Sequence, residues 1–113
     1  MIIGQTLDAD YGAVREHFTP WFPRQADNAV FTYERIFSTM SSAEAVDVFH
    51  KNAEDAGAGA QVASFADLGS TGLLEASCSA LKEMVRFRIQ IKNTDGWVHF
   101  RFLTPTWYFT GRV

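Results

Sequence analysis

Between Val85 and Leu103 the chain alternates apolar and polar residues twice with a turn between, and no other stretch restricts the fold as much. Val85, Phe87, Ile89 and Ile91 alternate with Arg86, Arg88, Gln90 and Lys92, Asn93-Thr94-Asp95-Gly96 follows, and Val98, Phe100 and Phe102 then alternate with Trp97, His99, Arg101 and Leu103. A period of two sends one set to a core and the other to the opposite face, so the stretch reads as a β-hairpin. Its register has two solutions. A two-residue Asp95-Gly96 loop is the favoured type I′ turn and sets Gln90 opposite Arg101. A four-residue loop sets Arg88 opposite Arg101, a like-charge pair costing up to about 1 kcal/mol unless an anion lies between them. Both loops are even in length, so both send the same residues inward.

Elsewhere the patterns point to helices as well as strands. Asp8-Ala9-Asp10 can cap a short helix in which Tyr11, Val14 and Phe18 share a face, ended near Thr19 by Pro20. Thr19-Pro20-Trp21-Phe22-Pro23 is then a stiff aromatic turn, read first as a cover for one end of the core and second as a ligand box. Residues 29–38 are β-branched and aromatic, with apolar groups on both faces, and read as a covered strand. Ser41 to Glu44 has capping-box spacing; Val46, Phe49 and Ala53 form a stripe, and Asp47 and Lys51 are spaced as an i, i+4 pair, which predicts a helix over 42–56. Residues 61–67 read as a strand. Leu73 to Leu81 fits both periods, and the strand is preferred because Ser77, Cys78 and Ser79 are poor helix formers. Pro105 precedes a last strand over 106–113, of the kind found at a sheet edge.

The resulting expectation is an α+β fold, a curved antiparallel sheet of about five strands with two helices packed on one face, as one compact domain over residues 1–113. A chain of 113 residues is long enough to bury a core without disulfide or metal staples, and 47% apolar residues with ten Phe indicate an aromatic-rich one. Its only cysteine, Cys78, cannot form an internal disulfide and reads as a buried packing residue. The N-terminus lacks the basic lead and apolar run of a signal peptide, and no stretch has the length of a membrane span, so the cytoplasm is the expected location and no membrane partner is called for.

Charge is uneven although the total is only −3. Residues 82–101 hold five basic and two acidic side chains, net +3, while the remainder is net −6. This acidic balance argues against general nucleic-acid binding, yet a local basic face can attract an anion. No glycine-rich phosphate loop, zinc-type histidine helix or nucleophile elbow is present, and the sequence implies no cofactor. His50 and Glu54, four apart on the predicted helix, read as a surface hydrogen bond in preference to a metal site.

The hairpin's polar face, with Arg86, Arg88, Trp97, His99 and Arg101, is the candidate ligand site, since arginine forks beside aromatic rings bind carboxylates or phosphates and stack on planar groups. The plain alternative is a solvated sheet face. Aromatic residues near the C-terminus suggest that a second copy of the chain covers one face. Three functional readings follow. The first is a small non-enzymatic binding or interaction domain, a homodimer, that accepts an anionic or aromatic ligand or a protein partner. The second is a cone-fold enzyme with the architecture of nuclear-transport-factor-type or cystatin-type domains, using His17, His99 or Glu34 as acid or base. The third is a single-stranded nucleic-acid binder using Arg86, Arg88, Lys92, Trp97 and Arg101.

Overall fold

The computed structural model describes residues 3–8, 15–38, 45–65, 72–91 and 97–110, and every regular element among them is a β-strand. The strands are β1 (Ile3–Asp8), β2 (Arg15–Phe18), β3 (Phe22–Pro23), β4 (Asn28–Ser38), β5 (Ala45–Lys51), β6 (Ala60–Ser64), β7 (Gly72–Cys78), β8 (Met84–Ile91), β9 (Trp97–Phe102) and β10 (Thr106–Tyr108). They form two antiparallel sheets, and the expected α+β fold with two helices is therefore incorrect. Phe18, assigned to the first helix, ends β2, and the core of the second helix is β5; the helix-start residues 9–14 and 41–44 lie outside the described residues.

The helical reading of 42–56 failed because β5 is covered on both faces, so Val46 and Phe49, three apart and on opposite faces of the strand, imitate one stripe of a helix. In β5 the residues alternate strictly: Val46 and Val48 point between the sheets, while Asp47 and Phe49 are buried on the other face. Residues covered on both sides lose the apolar-in, polar-out signature, and β-branched valines then favour the strand. The stretch that fitted both periods is resolved in favour of the strand β7.

Sheet A runs β1-β9-β4-β7 and sheet B runs β2-β8-β5-β6. Two strand positions are interrupted. β10 continues β9 along the same edge of β4 past Pro105, and β3 continues β2 along the same edge of β8 past Pro20. At the second break Thr19 takes over the ladder, its amide donating to the Phe87 carbonyl and its hydroxyl accepting the Phe87 amide, both at 2.9 Å. Pairs β1·β9, β2·β8, β4·β7 and β5·β6 make one long antiparallel ribbon that turns between β5 and β6. Its rolling up is completed where β8 meets β5 and β9 meets β4. Rolled in this way, the ribbon is a jelly roll of eight strand positions.

The hairpin therefore does not exist as a paired unit. β8 lies between β2 and β5 in sheet B, and β9 lies between β1 and β4 in sheet A, so the chain from 85 to 103 crosses from one sheet to the other. The inside–outside assignment survives for every core residue described: Val85, Phe87, Ile89, Phe100 and Phe102 are all buried. They meet across the sandwich. Phe87 stacks on Phe102 with ring centres 4.1 Å apart, Phe31 meets Phe87 edge-on at 5.2 Å, and Tyr33 packs on Phe65, Phe100 and Phe102. Each such side chain contributes roughly 1.5–3 kcal/mol by leaving water, and these rings occupy the space between the sheets. Cys78 joins this core, and burial pushes its thiol up to about 11.

Candidate functional site

Because β8 and β9 belong to opposite sheets, the five residues of the expected site are divided. Arg86 and Arg88 stand on the outer face of sheet B, and His99 and Arg101 on the outer face of sheet A. Trp97 pairs with Asp8 in β1, and its side chain lies outside the described residues, as does Lys92. An anion cannot bridge Arg88 and Arg101 in this fold.

Sheet B's outer face is a closed layer of cations, rings and carboxylates. The Arg86 guanidinium lies 3.9 Å from the Phe18 ring centre and 4.3 Å from that of Trp21, with Nη2 donating to the Ala58 carbonyl at 3.2 Å. Its Nε is buried beside these rings and has no hydrogen-bond acceptor; burial lowers the Arg86 pKa, and Glu16 acts in the opposite direction. Lys51 Nζ sits 5.0 Å from the Trp21 ring centre, and Phe18 meets Phe49 edge-on. Arg88 lies 4.9 Å from the Phe49 ring centre and directs Nε and Nη2 to Asp47 Oδ2 at 3.1 and 2.5 Å, and Nη1 to Glu16 at 3.4 Å. Asp47 Oδ1 accepts from Ser64 at 2.7 Å and Gln61 at 3.4 Å. Cation–π contacts and ion pairs thus engage the groups that an anion or a nucleobase would need. The layer's visible work is structural, since it fastens the loop from Asn52 to Gly59 onto the sheet.

Sheet A's outer face is different. Glu34 and Arg101 are direct cross-strand neighbours joined at 2.5 Å, with the arginine half-exposed. Leu73 sits opposite Glu34 on β7 and Phe37 opposite His99 on β9. Leu73 is 57% exposed, Phe37 50% and Ile36 39%, and His99 is exposed beside them. Ile36 falls at a bulge, where the register between β4 and β9 shifts. Sequence reasoning missed these three apolar residues. The signal was present: Ile36-Phe37 and Leu73-Leu74 are adjacent apolar pairs, and in a strand only one of two neighbours can enter the core.

The remaining titratable candidates are dispersed. Glu34 and His99 face outward from sheet A, whereas His17 pairs opposite Ile89 on β2 and is half-buried. His50 Nδ1 accepts the Lys82 amide at 3.2 Å, and burial followed by the Lys82 charge lowers its pKa, so the expected His50–Glu54 contact gives way to a backbone contact. No group of three or more His, Cys, Asp or Glu residues able to hold a metal occurs among the described residues. Nor is any helix there long and apolar enough to cross a membrane.

Fold and surfaces define a class, a jelly-roll β-sandwich with an aromatic interior, one outer face whose cations are engaged by rings, carbonyls and carboxylates, and one partly apolar outer face. Comparison of the chain with protein-family models, curated proteins and solved structures gives no match. A jelly roll hosts many unrelated activities, so the functional reading rests on the surfaces themselves.

Proposed function

We propose that this chain is a non-catalytic interaction module that acts as a homodimer through the outer face of sheet A. The exposed group Ile36, Phe37 and Leu73 around the Glu34–Arg101 pair carries the reading. Exposed large apolar side chains grouped on one face mark an interaction surface. A two-fold axis brings such a patch onto itself. The patch holds one acid and one base, so Arg101 of one copy can reach Glu34 of the other without setting like charges together. A second copy thus suits this surface better than a strongly charged partner does. The single thiol, buried and unable to form an internal disulfide, is compatible with a reducing compartment such as the cytoplasm.

Light scattering coupled to size exclusion tests the proposal. At about 50 µM, complexes more stable than roughly −6 kcal/mol are substantially populated. The native chain is expected to run as a dimer, Phe37→Glu and Leu73→Glu as monomers, and Gln90→Glu on the opposite face as a dimer. A native chain that stays monomeric at this concentration sinks the reading.

A further inference from the structure

The two interrupted strand positions come together at one corner of the sandwich. β1 accompanies β9 only as far as the Ile3–Phe102 pair, so among the described residues β10 has β4 on one edge and no strand on the other. β3 likewise pairs only with β8. Between them opens a cleft of about 280 Å³, lined by Phe22, Pro23 and Gln25 from the sheet B side and Thr104, Pro105 and Trp107 from the sheet A side. We infer that this cleft is a binding site for a small, uncharged, flat aromatic molecule, independent of the surface proposed for self-association.

Four observations define the ligand. First, no lining side chain carries a charge, so nothing offsets the desolvation of an ionic ligand. Second, the two aromatic walls are held from behind. Phe22 packs 5.6 Å from Phe87 and 6.3 Å from Phe31, and Trp107 packs edge-on to Phe31 at 5.5 Å, all between ring centres. A ring entering the cleft meets surfaces already ordered by the core, which keeps the entropic cost of binding low. Third, Pro23 and Pro105 lack an N–H, so these strand edges cannot offer a continuous ladder to an added peptide strand, and a compact ring is the better occupant. Fourth, the volume lies just under the roughly 300–1,000 Å³ of drug-sized sites and suits one or two fused rings. Gln25 is exposed at the rim, and its amide can both donate to and accept from one polar edge of such a ring. The aromatic turn noticed in the sequence thus supplies one wall, and the segment after the Pro105 break supplies the other.

Nuclear magnetic resonance of the full chain, titrated with indole, benzamide and benzoate, tests the site. Indole and benzamide are expected to give saturable shifts of the Trp107 indole N–H and the Gln25 side-chain amide, with millimolar affinity as fits such small ligands. Benzoate is expected to bind at least threefold more weakly than benzamide. Gln25→Ala, an exposed change that leaves the core intact, should weaken benzamide about threefold and leave indole nearly unchanged, while Trp107→Leu, checked for folding by its amide spectrum, should lose both. Failure of the Trp107 N–H to shift up to roughly 10 mM ligand overturns the inference, as do shifts that map elsewhere and benzoate binding as tightly as benzamide.

Discussion

Asp47 offers the sharpest test of the architecture, because its surroundings exist only if residues 45–51 are a strand against β8. Its side chain is 7% exposed and receives four hydrogen bonds, two from Arg88 and one each from Ser64 and Gln61. Bonds to a charged group contribute about 1.5–3 kcal/mol each when buried, but they are not additive, and Arg88, 21% exposed, is partly screened by water. Asp47→Ala should therefore cost about 2–3 kcal/mol. Arg88→Met keeps the aliphatic stem while leaving the carboxylate with only its two neutral donors, and should cost about 2 kcal/mol. The double variant should lose about 3 kcal/mol, below the sum of the singles, giving a coupling energy of about 1–2 kcal/mol. Urea denaturation followed by tryptophan fluorescence reads these differences as midpoint shifts of about 1–2 M for the single variants at unchanged slope. A solvent-facing helical Asp47 paired with Lys51 would be worth only about 0.2–0.5 kcal/mol. An Asp47→Ala cost below about 0.5 kcal/mol, with no coupling to Arg88, would refute both the β5–β8 register and the closed layer on sheet B.

Two glycines in the loop after β5 separate backbone strain from steric conflict. Gly57 (φ +90°) has open space where a Cβ would lie, whereas at Gly59 (φ +79°) a Cβ would stand 2.6 Å from the His50 carbonyl oxygen and 2.8 Å from the Trp21 ring. Gly57→Ala should cost about 1 kcal/mol and Gly59→Ala at least about 2 kcal/mol more, and equal midpoints in urea would contradict the seating of Trp21 on this loop. Cys78 gives a pH dependence. Its folded pKa of about 11 lies above the ordinary 9.0, so the folded state keeps a proton that the unfolded state releases; the associated stability is complete below pH 9 and declines by about 2–3 kcal/mol as pH rises to 11. Cys78→Ala should lack this alkaline component in pH-dependent unfolding, and an unchanged profile would show that the thiol is not buried as described.

Alternation along a strand is a local property, set by the pleat, and so it was legible without the fold. Phe87, Ile89, Phe100 and Phe102 enter the core, and Arg86, Arg88, His99 and Arg101 face outward, whichever strands lie beside them. Strand identity over 29–38 was legible because β-branched and aromatic residues supply the preference, and at β7 because Ser77, Cys78 and Ser79 are poor helix formers. The choice between helix and strand at Val46 and Phe49 was not, because a segment buried on both faces shows no polar stripe to mark its period.

Partner choice lay beyond the sequence for a different reason. Even hairpin loops and a crossing between sheets leave the same residues pointing inward, so the pattern from Val85 to Leu103 could not tell a paired hairpin from two strands facing one another across a sandwich. Tertiary structure made that decision: β8 found β5, with Arg88 beside Asp47, and β9 found β4, with Arg101 beside Glu34. The decision also determined the chemistry of the surface. It sent the four described members of one sequence-level constellation to two opposite faces, left Ile36, Phe37 and Leu73 exposed on one of them, and placed the Pro20 and Pro105 breaks where Phe22 and Trp107 form the walls of one cleft. Periodicity reports which way a side chain points, and only long-range pairing decides what it points at.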